Sequence, residues 1–106
     1  MKIYFIATYR DLKRDEKGWL DDGGARRVVG YYDDFNTATK AVEENWCDIY
    51  EDGYYKYAVI EALEPGLYPI CLTPIFYKWE GDTKTGGYKK IKRPAATKNF
   101  GGFTIG

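Results

Sequence analysis

The sequence predicts a two-layer α+β domain, a mostly antiparallel sheet of about five strands with one helix packed on it. Three observations lead there. Several segments are dense in β-branched and aromatic residues, as strands are. One segment repeats its apolar residues at three- and four-residue steps, as an amphipathic helix does. Every connection except that helix can be made by a hairpin, so neighbouring strands run antiparallel. The order along the chain is β-β-α-β-β-β.

Lys2–Tyr9 (KIYFIATY) is apolar on both faces, which places this strand inside a sheet. Arg10–Arg27 is a polar connection punctuated by Gly18, Gly23 and Gly24. Its Asp22-Gly23 step is a hairpin turn signal between two short strand extensions. Arg26–Tyr32 (RRVVGYY) returns as the second strand. Asn36 or Thr37 then caps a helix that runs to about Cys47. Ala38, Ala41, Val42 and Trp46 form its apolar stripe, and Ile49 would continue it.

Tyr54–Leu63 alternates cleanly, with Tyr55, Tyr57, Val59, Glu61 and Leu63 on one face. Glu64-Pro65-Gly66 is a turn. Pro69 and Pro74 cannot donate to a ladder, so they confine Ile70–Trp79 to an edge or to two short pieces. Glu80–Gly87 is a hairpin loop and Tyr88–Lys92 a last strand, which Pro94 ends. Residues 95–106 read as a loosely ordered tail with Phe100, Phe103 and Ile105 as anchors. One domain spans the 106 residues, since a chain of that length has room for one core.

Sixteen basic and sixteen acidic groups balance to zero, which excludes a polyanion that imitates nucleic acid and a polycation that coats it. The balance hides a split. Residues 78–106 carry seven basic groups against Glu80 and Asp82, a local charge of +5, leaving −5 in the first 77 residues. Blocks of opposite sign fit a polar homo-oligomer or a field that steers a partner. Cys47 and Cys71 are the only cysteines, there is no His, and no apolar run is long enough for a membrane helix. A cytoplasmic protein with two reduced, buried thiols, no metal and no cofactor is the expectation.

Ser and His are both absent, so the common nucleophile–base pairs cannot be assembled. Gly23-Gly24 and Gly86-Gly87 precede strands and do not make a phosphate loop. The acidic pairs stand at strand ends and helix starts, where turn chemistry explains them. Binding, not catalysis, is therefore expected, and two surfaces qualify. Tyr77-Lys78-Trp79 and Tyr88-Lys89-Lys90-Ile91-Lys92-Arg93 flank one loop, offering rings beside cations to a nucleotide or a single-stranded nucleic acid. Arg10, Lys13, Arg14, Arg26 and Arg27 bracket the long connection. If it is a hairpin, its guanidinium groups converge to capture phosphate or carboxylate, with Trp19 as an aromatic anchor at the tip.

The Met1–Tyr4 start (MKIY), the run from Val28 to Val42 (VVGYYDDFNTATKAV), the strand Tyr55–Glu61 (YKYAVIE), the Tyr77-Lys78-Trp79 segment and the Gly-rich, Ile-Gly ending carry a resemblance. They resemble small uncharacterised proteins of Gram-positive gut bacteria and their phages, a group with no assigned chemistry. What the resemblance implies is a phage or prophage accessory protein in the host cytoplasm. Such a protein would inhibit antiviral defence by binding a host defence protein or by sequestering its signalling nucleotide.

Overall fold

In a computed structural model of the chain, every residue is described except 12, 15, 18, 19, 22–25, 72, 98–101, 105 and 106; for 14, 20 and 21 the backbone alone is described. Among the described residues, seven strands, β1 (Ile3–Tyr9), β2 (Lys13–Arg14), β3 (Leu20–Asp21), β4 (Arg26–Tyr32), β5 (Tyr57–Leu63), β6 (Ile75–Glu80) and β7 (Gly87–Ile91), accompany one α-helix, α1 (Phe35–Glu43), and three single-turn 3-10 helices. The five long strands form a single antiparallel sheet in the order β4-β1-β5-β6-β7. With α1 against it, this is the expected α+β architecture. The doubly apolar β1 lies between β4 and β5, as its composition requires.

The connection after β1 contains two short strands. β2 and β3 pair antiparallel, Lys13 with Asp21 and Arg14 with Leu20. Lys13–Arg14 and Leu20–Asp21 are thus paired directly, while the Asp22-Gly23 step expected to join two strand extensions lies outside the described residues.

Helix α1 is capped by Asp34, not by Asn36 or Thr37. The Asp34 carboxylate accepts the Thr37 N–H at 2.8 Å and the Thr37 hydroxyl at 2.7 Å. Asp34 wins because its extended backbone aims the carboxylate at the third helical residue. The helix also ends sooner than its stripe suggests. Asn45 turns left-handed at φ 53°, its side-chain oxygen accepting from Tyr50 N–H and its amide donating to Asp48. Asn tolerates that conformation and so stops the helix before Trp46 and Cys47. Cys47 is in consequence exposed and Cys71 partly so; both thiols are free. Their expected burial does not hold, because Cys47 lies beyond the helix and Cys71 on a loop.

The sheet is covered on both faces. On one, Ala38, Ala41 and Val42 of α1 pack on Ile6, Ala58, Ile60, Tyr77 and Tyr88. On the other, Ala7, Tyr9, Val59 and Phe76 pack against Phe103 from the C-terminal segment. Phe103 stacks on Tyr9 with ring centroids 5.1 Å apart and meets Phe76 edge-on at 5.6 Å. Glu61 beneath it is 2% exposed, and its carboxylate accepts the N–H groups of Phe103 and Thr104 at 3.0 and 2.9 Å. The tail is therefore docked at Phe103 and Thr104; Phe100 and Ile105 fall outside the described residues.

Pro74 halts β6 at Ile75, and β6 is an interior strand, not an edge. β6 meets β5 over Tyr57–Ile60 alone. Residues 61–63 of β5 thus have β1 on one side and a loop on the other.

Candidate functional site: a cationic cleft at one end of the central strand

The β6–β7 hairpin forms with Tyr77 opposite Lys90, Lys78 opposite Lys89 and Trp79 opposite Tyr88. Directly opposed residues share a face, and successive residues alternate. Tyr77, Trp79 and Tyr88 consequently turn toward α1. Tyr77 is 2% and Tyr88 1% exposed. Trp79 stacks on Tyr50 at 3.7 Å, Tyr88 meets Trp79 edge-on at 5.1 Å, and the Tyr88 hydroxyl donates to the Tyr55 carbonyl at 2.5 Å. Burial pushes the hydroxyls of Tyr77 and Tyr88 above the ordinary tyrosine range. These rings are core, so the expected stacking platform on that hairpin is corrected. Lys89, Lys90 and Lys92 remain exposed. The Arg93 guanidinium donates to the Thr97 carbonyl at 2.8 Å and lies over Phe76.

The expected convergence of arginines is likewise not formed. Arg26 and Arg27 are successive in β4, so they leave on opposite faces. Arg26 lies over Phe103, while Arg27 pairs with Glu51 and lies over Tyr55. Arg10 turns a third way, over Tyr54 at 5.6 Å. Arg14 stands in β2 with its side chain outside the description, and Trp19 lies outside the described residues.

What the fold does assemble is a different cationic site. Strand register puts Arg26, Tyr9, Tyr57, Lys78 and Lys89 in one row across five strands, on the face away from α1. Within the row Tyr9 and Tyr57 stack at 5.3 Å and 4°, and Lys78 lies over the Tyr57 ring at 5.9 Å. Where the row meets the start of β5, a cleft of about 510 Å³ opens between Arg10, Asp11, Gly53, Tyr54, Tyr57, Lys56 and Lys78. Arg10 is the residue after β1, Lys56 the residue before β5, and Lys78 lies in β6. Three cations and one carboxylate thus surround two tyrosine rings, one of which, Tyr54, is exposed.

Arg10 and Lys78 over tyrosine faces, with Lys56 beside them, form a geometry suited to anions that carry a flat ring. Lys56, Tyr54 and Tyr57 were not among the sequence candidates. The signal was present in Tyr54-Tyr55-Lys56-Tyr57, the same aromatic–basic interleaving as in Tyr77-Lys78-Trp79. Among the described residues no cluster of His, Cys, Asp or Glu could hold a metal ion, and no helix is long and apolar enough to cross a membrane. Comparison with protein-family models, with curated proteins and with solved structures returns no match for this chain.

Proposed function

We propose that the protein acts stoichiometrically, as a binding protein that holds a phosphate-bearing aromatic anion, a nucleotide, in the Arg10–Lys56–Lys78 cleft. One observation carries the reading. Three cations from three separate segments meet two tyrosine rings around a single cleft of about 510 Å³, a volume within the range of small-ligand sites. Arg10 offers a planar fork to a phosphate, and the two lysines offer point charges. The exposed Tyr54 ring offers a face for the base. In the setting that the sequence resemblance implies, a phage or prophage accessory protein in the host cytoplasm would use such a cleft to sequester the nucleotide signal of an antiviral defence.

Calorimetry tests this with a panel of cyclic nucleotides and nucleoside 5′-phosphates, with inorganic phosphate as control. Binding is expected for at least one nucleotide, weakening as salt rises. Arg10→Ala with Lys78→Ala is expected to weaken it by about a hundredfold, roughly the loss of two charge-assisted contacts. Flat traces across the panel at low salt would remove the reading.

A further inference from the structure

The row of side chains that reaches the cleft continues past it. Register sets Tyr57 of β5 opposite Lys78 of β6, and Lys78 opposite Lys89 of β7. Lys78 belongs to the cleft wall, whereas Lys89 stands one strand beyond it. Adjacent strands lie about 4.8 Å apart, so the two lysines leave the same face side by side. Both side chains are exposed.

Like charges placed directly opposite each other destabilise a sheet unless something offsets them. No carboxylate does so here. Among the described residues, Lys78, Lys89, and Lys56 on the cleft wall form no ion pair. Glu80 lies two residues along β6 on the same face, and it pairs with none of them. Protection of the sheet edge accounts for some of this charge but not for the opposed pair. Lysines on an outer strand discourage pairing with another sheet, and those of β7 serve that end. Lys78 is on β6, which has a strand on each side and no edge to guard. Two uncompensated cations beside a cationic cleft match a ligand whose negative charge is spread over more than one group.

Resting on the nucleotide reading of the cleft, we propose that the ligand carries two or more linked phosphates, as a nucleoside di- or triphosphate does. The base and the first phosphate occupy the cleft, against Tyr54, Arg10 and Lys56. The phosphate chain runs across the sheet past Lys78, and Lys89 binds its outer phosphate. The planar fork of Arg10 suits the phosphate held nearest the base. Lysine suits the outer position, because its flexible stem carries a compact charge that can follow a flexible chain. Lys89 is in this way a specificity-determining residue that reads phosphate number from outside the cleft.

Calorimetry at low salt with matched nucleoside 5′-mono-, di- and triphosphates tests this, with inorganic pyrophosphate alongside. The diphosphate is expected to bind about tenfold more tightly than the monophosphate, the effect of one added charge-assisted contact. Lys89→Ala is expected to abolish that preference. Lys40→Ala removes the same charge from an exposed position on α1, across the sheet, and should leave the preference in place. Neither lysine is buried, so thermal midpoints should show both variants folded. Equal affinity for mono- and diphosphate, or a preference that survives Lys89→Ala, would overturn the inference and leave the nucleotide cleft standing. A preference lost equally in Lys40→Ala would reduce it to overall charge and overturn it too. Pyrophosphate bound as tightly as the nucleoside diphosphate would overturn the inference and the nucleotide reading together, since the base would contribute nothing. Flat traces for every nucleotide would do the same.

Discussion

The two covers of the sheet solve one problem by different means. On one face, α1 lays a periodic stripe of small residues, Ala38, Ala41 and Val42, across Ile6, Ala58 and Ile60, and contact is spread over the whole helix. On the other face a short C-terminal segment does the work with one ring and one carboxylate. Phe103 enters between Tyr9 and Phe76, and Glu61, placed by the alternation of β5 on that face, accepts backbone N–H groups from Phe103 and Thr104. The helix satisfies its own backbone, whereas the segment must borrow an acceptor from the sheet. An acidic residue in the middle of an apolar strand is thereby explained: Glu61 is buried because it is the acceptor for Phe103 and Thr104, which lie in neither a helix nor a strand.

The contrast predicts unequal sensitivity. Phe103→Ala should cost about 3 kcal/mol, more than the roughly 2 kcal/mol expected for Val42→Ala on the helix side. Chemical denaturation of the two variants compares them. If Phe103→Ala costs less than Val42→Ala, the C-terminal segment is an appendage and the two covers are not equivalent. Next in size is Tyr88→Phe, which leaves the Tyr55 carbonyl without its buried donor and should cost about 1 kcal/mol on the helix side. The ring is retained, so a larger loss would mean that the hydroxyl organises more than one bond.

The smallest effect is a dependence on pH that arises at the cap of the helix and in the β6–β7 loop. Hydrogen bonds from the Thr37 hydroxyl and N–H hold the Asp34 carboxyl below its ordinary value, and the Thr85 N–H does the same first for Asp82 in the β6–β7 loop. Both folded-state values are depressed, so the stability these groups contribute is present above about pH 4 and is lost as pH falls through their lowered values. Denaturation midpoints from about pH 6 down to pH 2 should show this, and Asp34→Asn with Asp82→Asn should flatten the profile.

Strand and helix locations were legible because period-two and period-3.6 patterns reflect which side chains a sheet or helix must bury. β4 lies on the predicted segment, β1 and β7 begin or end one residue from it, and the helix stripe is the buried one. The end of the helix was not legible. Trp46 continues the period, and only the left-handed turn at Asn45 removes it from the stripe.

The candidate site was legible by half. Aromatic–basic interleaving marked Lys78 and the arginines marked Arg10, but nothing local could say which face each ring would take or that Arg26 and Arg27 would part. Composition and periodicity by themselves determined an α+β fold, with the strands and the helix stripe where they are. Tertiary structure alone decided which rings are core, which cations share a cleft and which apolar residues face outward. Those outcomes depend on register across five strands and on where two prolines stop a ladder, and both are relations between distant residues.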